Sequence, residues 1–233
     1  MKDYFGKYRS GLILAADLPS ESANSRVLEV TADLIDVIKI CSPLIYAEGL
    51  EVVSRLRRRF GKPIFTDLKL ADVAHTCVTM LSQARDAGAS AVMVHGMVGP
   101  ETLEQCIAAG GDDLGVVVQL ELTGPGGALF TAGVADDVAR LAATMEVYGA
   151  QAPGNRPQRV AAIRSIMGRD RVLVCCGVGR QGGSYSAVME AGGANTYAIV
   201  GRSIYESSDP RAAATKFLQE RNLSHALSAN ALP

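Results

Sequence analysis

The stretch FTDLKLADVAHT, residues 65–76, sets Asp67, Lys69 and Asp72 within an otherwise apolar run that reads as a strand passing into a helix. Asp67 and Lys69 are two residues apart, so in an extended strand they share one face. An ion pair at the carboxyl end of that strand is therefore available. Asp72 lies five residues beyond Asp67 and is expected at the start of the next helix. As an N-cap or first-turn acid there it is worth about 1 kcal/mol.

The same layout recurs along the chain. Short apolar runs occur at 11–17 (GLILAAD), 36–40 (DVIKI), 63–69 (PIFTDLK), 89–95 (ASAVMVH), 115–122 (GVVVQLEL), 145–151 (MEVYGAQ), 171–177 (RVLVCCG) and 195–201 (NTYAIVG). Helical patterns separate them, among them PLIYAEGLEVVSRLRRRFG, ADVAHTCVTMLSQARDAG, DDVARLAATMEV, RPQRVAAIRSIMG and DPRAAATKFLQE, each with an Asp, Pro or Gly boundary signal. The sixth run is the least regular, because MEVYGAQAPGNRP mixes Gly, Pro and polar residues. Eight strand–helix repeats predict a single α/β domain over residues 1–233, a (β/α)8 TIM barrel with its core at about 11–221. The tail from Asn222 is expected to pack loosely or fray.

Composition supports buried parallel strands. Of 233 residues, 48% are hydrophobic and only 5% aromatic, with no Trp, so Val, Ile, Leu, Ala and 24 glycines must build the core. Lys plus Arg total 23 against 24 Asp plus Glu, a formal charge of -1, which offers no basic surface for nucleic acid. Arg55, Arg58 and Arg59 read as the solvated face of a helix. Cys41, Cys77, Cys106, Cys175 and Cys176, odd in number and scattered, form no disulfide framework and read as small buried hydrophobes. The first apolar run is too short for a signal peptide or a membrane span, so a cytoplasmic location is expected.

In a closed parallel barrel, ligands collect at the carboxyl ends of the strands. Asp17 ends the first strand, Lys39 lies near the end of the second, Asp67 and Lys69 end the third, and His95 ends the fourth. Any one of these charges alone reads as a turn or a neutralised pair. Four at three consecutive strand ends read as a site, because buried ion pairs rarely stabilise better than apolar packing. Such a set can hold hydroxyls, destabilise a bound anion and protonate a developing carbanion. A Schiff base on Lys69 or Lys39 needs a pKa lowered from about 10.4, which Asp17 and Asp67 oppose.

The loops after strands 7 and 8 are the usual phosphate cradle of this barrel. Here they carry Gly177, Gly179, Gly182 and Gly183 with Gln181, then Gly201 and Arg202. Backbone N–H groups, the Gln181 amide and a bidentate Arg202 suit a phosphorylated ligand. GVGRQGG follows a late strand and lacks dinucleotide spacing, which disfavours NAD. His75, His95 and His225 form no compact metal motif, and Cys175 and Cys176 should face opposite ways. Lys39 and Lys69 compete with Mg2+ for Asp17 and Asp67. Thr123, ahead of a Gly-Pro-Gly turn after strand 5, has its hydroxyl within reach of a polar ligand edge.

Asp67-Leu-Lys69-Leu-Ala-Asp72-Val73-Ala-His-Thr76, with Asp17 in LAADL, Lys39 in VIKICSPL, and then GVGRQGG and VGRSIY, resembles orotidine 5'-phosphate decarboxylase of the short archaeal and bacterial type. The likeness runs from about Gly11 to Arg211. Relatives in the same barrel superfamily, sugar-phosphate decarboxylases and hexulose-phosphate synthases, end the second strand in an acid serving Mg2+, where this chain has Lys39. The resemblance implies decarboxylation of orotidine 5'-phosphate (OMP) to uridine 5'-phosphate (UMP) without cofactor or metal, by a homodimer with shared sites. It implies that Lys69 protonates C6, that Asp67 with Asp72 of the partner subunit crowds the substrate carboxylate, and that Asp17 and Lys39 hold the ribose. Thr123, in place of a Ser, would meet the pyrimidine, with Gly179, Gln181, Gly182, Gly201 and Arg202 at the phosphate. Asp72, Val73 and Thr76 would reach into the site of the second subunit. Departures are Cys176 for a usual Pro, Gly124 for a frequent His, and Arg180 at a position more often small, where it either strengthens phosphate attraction or faces solvent. The other readings are a Mg2+-dependent ketose-phosphate decarboxylase or aldolase, and a silent phosphate-ligand scaffold.

Overall fold

A computed structural model describes residues 2–230, with side chains through Glu220. Eight parallel strands close into a barrel in the order β1 to β8: Leu12–Ala16, Val37–Cys41, Ile64–Leu70, Ala91–His95, Gly115–Gln119, Gly149–Pro153, Val172–Cys176 and Thr196–Val200. Around it run α1 (Glu21–Thr31), α2 (Ser42–Glu48), α3 (Val52–Phe60), α4 (Ala74–Asp86), α5 (Pro100–Gly110), α6 (Pro125–Thr131), α7 (Ala135–Ala143), α8 (Pro157–Met167), α9 (Tyr185–Gly192), α10 (Arg202–Tyr205) and α11 (Pro210–Asn230). The architecture is the expected TIM barrel. The packing expected of the tail from Asn222 lies outside the residues whose side chains are described.

Strand alternation sorts the side chains into two cores. Leu12, Leu14, Ile38, Ile40, Val92, Val94, Val116 and Val118 point outward and pack under the helices. Ile13, Val37, Phe65, Ala91, Met93, Val117, Val172, Val174, Tyr197 and Ile199 fill the barrel interior. Chain segments before β1 close the bottom: Phe5 inserts edge-on against Tyr148, Tyr197 and Phe65, with ring centroids 5.1, 5.3 and 5.7 Å away. Asp36 ties that segment down by accepting the backbone N–H groups of Arg9, Ser10 and Gly11.

Four local expectations shift. The sixth strand begins at Gly149, four residues later than the run read from sequence, because Tyr148 is drawn into the aromatic plug. A Cβ at Gly149 would lie 2.3 Å from the Val172 carbonyl oxygen, so only glycine lets β6 approach β7 there. The long helix after β2 breaks at Gly49 (φ 76°) into α2 and α3, while Gly61 (φ 63°) caps α3 as expected. Arg55 pairs with Glu21 and Glu48 and Arg59 with Glu29, so part of that arginine face is bound to neighbouring elements. Asp72 is not the N-cap of α4: that position is Val73, and Asp72 Oδ1 accepts the Val73 N–H at 2.7 Å.

Candidate active site

On β2, β3, β5 and β7 the apolar inward-facing positions give way to functional side chains toward the carboxyl end. Lys39 follows Val37 and Asp67 follows Phe65, while Gln119 follows Val117 and Cys176 follows Val174. A cavity of about 240 Å3 opens above this layer. Its lining includes Asp17, Lys39, Asp67, Lys69, Thr123, Gln181, Gly201 and Arg202, eight of the residues singled out from sequence.

The charges alternate in sign across the floor. Lys39 Nζ lies 3.3 Å from both Asp17 Oδ1 and Asp67 Oδ2, and Lys69 Nζ lies 2.6 Å from Asp67 Oδ1. The side chains of Lys39 and Asp67 are only 5% and 3% exposed, so water does little to screen the pair. Burial opposes charge on Lys39, yet Asp67 and Asp17 outweigh it and hold its pKa well above the ordinary lysine value. Burial likewise opposes the Asp67 carboxylate, but the two ammonium groups pull its pKa below the usual carboxyl value. For Lys69, burial is again overcome by Asp67 and the pKa rises. At neutral pH all three are ionised, which disfavours Schiff-base chemistry and suits an ammonium that donates a proton.

Lys69 reaches this position by an irregular path. The register of β3 against β4 steps from Thr66↔Val92 to Leu70↔Val94, so four residues of β3 pass two of β4. Lys69 sits within that bulge at φ 48°, a left-handed conformation that costs a non-glycine residue about 1 kcal/mol. The simple two-residue alternation therefore breaks down at Lys69, although its ion pair with Asp67 forms.

Thr123 is held from behind. Asn155 Nδ2 donates to the Thr123 carbonyl at 3.3 Å and Arg156 Nη2 to that of Leu122 at 2.8 Å. Glu121, 1% exposed, anchors both Arg156 and Arg159. At the other side, the loop after β7 folds on itself: Gly179 N–H donates to the Gly183 carbonyl and Gly182 N–H to that of Gly179. Those two amides are spent inside the loop, and Gly179 and Gly182 line a neighbouring hollow rather than the cavity. Their φ angles of 80° and 90° give the loop its shape. Arg180 also lines the cavity, with its N–H on Ser203 Oγ and its guanidinium 2.7 Å from Glu206.

Asp72, Val73 and Thr76 do not line their own chain's cavity, and Val73 is 68% exposed. His95 is absent from the lining as well, its Nδ1 accepting the Met97 N–H. Cys77, Cys106 and Cys175 are buried as expected, but Cys41 and Cys176 line the cavity. Burial pushes the Cys41 thiol up to about 12 and that of Cys176 up to about 11, so both are neutral thiols beside the lysines. Gln119, Gln151, Ser203 and Tyr205 complete the polar lining, and sequence reasoning missed all four. Gln119 carried a signal, since it is a polar residue two positions beyond the core residue Val117 on the same strand face.

The fold and floor define a class: a (β/α)8 enzyme that sets an ionised lysine–carboxylate array beneath a cavity with an arginine at its β7–β8 end. Residues 10–217 match the family described as Orotidine 5'-phosphate decarboxylase / HUMPS family, and the chain belongs to that family. It is 38% identical over 211 residues to an orotidine 5'-phosphate decarboxylase of Thermococcus kodakarensis, covering 91% of this chain and 96% of that one. To the Methanococcoides burtonii enzyme of the same name it is 36% identical, with 92% and 98% covered. A crystal structure of the Methanocaldococcus jannaschii orotidine 5'-monophosphate decarboxylase with the inhibitor BMP superposes with a TM-score of 0.86 at 28% identity, covering 91% and 98%. The Pyrococcus horikoshii structure does so at 0.82 and 31%, covering 91% and 99%.

Proposed function

We propose that this chain decarboxylates orotidine 5'-phosphate to uridine 5'-phosphate, with Lys69 as proton donor to C6. The observation that carries the reading is the Lys39–Asp67–Lys69 array at the cavity floor. The C6–carboxylate bond breaks with its electron pair left on C6, CO2 departs, and the Lys69 ammonium delivers its proton to that carbon. The pyrimidine ring delocalises this pair poorly, so a fixed cation must stabilise it as it forms. The ionised Asp67 repels the substrate carboxylate, a repulsion that vanishes when CO2 leaves. Lys39 occupies the position between Asp17 and Asp67 where a divalent cation would otherwise bind, which supports a metal-independent reaction over the ketose-phosphate alternative.

Asp17 and Lys39 hold the ribose hydroxyls, Thr123 meets the pyrimidine edge, and Gln181 and Arg202 grip the phosphate beside Gly201. Gly179 and Gly182 contribute through the shape of the loop. The working form is a homodimer in the cytoplasm, where Asp72, Val73 and Thr76 complete the site of the second subunit. Two observations support this: those residues stand clear of their own cavity, and Tyr46, Met97, Leu129 and Phe130 expose apolar surface on the segments after β2, β4 and β5. No helix among the described residues is long and apolar enough to cross a membrane.

Loss of OMP absorbance on adding the purified protein tests the reading. Turnover unchanged by EDTA is the expected result. Turnover abolished by EDTA, or UMP binding without any loss of OMP, would overturn it.

A further inference from the structure

Two side chains at the floor take no part in the chemistry above. Gln119 and Gln151 occupy paired register positions on β5 and β6, line the cavity, and are each 1% exposed. Burying a primary amide is unfavourable unless its hydrogen bonds are made, so the use of each atom is informative. The Glu121 backbone N–H donates to Gln151 Oε1 at 3.2 Å. A backbone N–H is a donor only, so this bond fixes which end of the Gln151 amide is oxygen. Gln119 then meets that same oxygen with its Nε2 at 2.6 Å, which fixes the second amide. Gln151 Nε2 and Gln119 Oε1 are left without a partner among the described residues, and neither is sealed away from the cavity.

The floor therefore presents one free donor and one free acceptor whose orientation the backbone has locked. On the decarboxylase reading, a phosphate on the β7–β8 loops and hydroxyls at Asp17 and Lys39 would direct the reacting edge of the ring toward Asp67 and Lys69, and its carboxylate toward the floor lined by Lys39, Asp67, Gln119 and Gln151.

We propose that the Gln119–Gln151 pair determines how strongly the site holds a carboxylated ring relative to the decarboxylated product. Gln151 Nε2 donates to one carboxylate oxygen, while Gln119 Oε1 keeps the other oxygen away and so sets the tilt of the group. This inference rests on the decarboxylase reading. A carboxylate is a strong acceptor and nascent CO2 a weak one, so the bond fades as the carbon–carbon bond breaks. An interaction made in the ground state and lost in the transition state lowers KM and kcat together.

The test compares OMP kinetics and UMP inhibition for the wild type, Gln151→Glu, and the double variant Gln119→Leu/Gln151→Met, all at pH 8. Gln151→Glu keeps an oxygen for Glu121 N–H and Gln119 Nε2 and exchanges only the free NH2 for oxygen. It should raise the OMP KM by about tenfold or more while UMP affinity stays within about twofold. The double variant removes both amides together and leaves no unpaired side chain between them. It should raise KM and kcat in parallel, each by about three- to tenfold, again sparing UMP. The inference is overturned if UMP affinity falls in step with the OMP KM, or if Gln151→Glu retains wild-type KM and kcat. A wild-type protein that binds UMP and releases no CO2 overturns the decarboxylase reading itself, which separates the two failures.

Discussion

The two ends of the barrel are built from the same strands and obey opposite rules. At the amino-terminal end, Phe5, Phe65, Tyr148 and Tyr197 interlock edge to face, and Asp36 spends its carboxylate on three backbone N–H groups. Everything there is apolar or locally satisfied. At the carboxyl-terminal end, two residues further along the same inward faces, Lys39, Asp67 and Lys69 are buried or half-buried as ions and Lys69 adopts a left-handed backbone. The lower half holds the fold together, and the upper half gives up stability to hold charge where a reaction needs it.

Substitutions that cross this divide should separate stability from turnover. Asp67→Asn removes the carboxylate shared by both lysines, leaving Lys69 without its ion-pair partner and Lys39 with Asp17 alone. Turnover of OMP should fall by about 10²-fold or more. Stability in urea should fall by about 3 kcal/mol, the effect of stranding buried charge. Phe5→Ala should lose stability alone: about 3–5 kcal/mol in urea unfolding, with kcat per folded molecule unchanged. If Phe5→Ala instead impaired kcat as severely as Asp67→Asn, the division between the two halves would be wrong.

A finer comparison uses one position. Lys69→Gly and Lys69→Ala remove the same ammonium, but only glycine is at ease at φ 48°. The glycine variant should therefore be the more stable of the two by about 1 kcal/mol, read as a difference in denaturation midpoint. Equal midpoints would mean that the bulge relaxes once the lysine is gone.

The pH profile sharpens the same contrast with smaller effects. The folded pKa of Asp67 is lowered by Lys39 and Lys69, so its contribution is present above the unfolded value of about 3.9 and lost as pH falls through the depressed folded value. Lys39 has a raised folded pKa, so its contribution is complete below about 10.4 and is lost as pH rises through the folded value. Thermal melts should thus show acid and alkaline losses that Lys39→Met flattens at the alkaline end and Asp67→Asn at the acid end. Unaltered profiles in both variants would show that the array adds nothing to stability.

Much of this division was legible in the chain. The eight short apolar runs separated by helical patterns pointed to the barrel, and the charges ending the first three strands marked its mouth, because strand geometry is local. The features that escaped depend on long-range contacts. Nothing near Phe5 announces that it plugs the barrel, since its partners lie on β3, on β8 and just before β6. Tyr148 delays β6 for the same reason. The in-loop bonds of Gly179 and Gly182 are invisible in a glycine-rich motif that equally suits a backbone anion cradle. The Gln119–Gln151 pair joins residues 32 positions apart, and only the pairing of β5 with β6 brings them together.

The account stands most directly on Lys69. Single-turnover decarboxylation of OMP by Lys69→Ala, measured alongside its UMP affinity, tests it. The account predicts UMP binding within about threefold of wild type and CO2 release reduced by about 10³-fold or more. Decarboxylation near the wild-type rate in a variant that still binds UMP would contradict it.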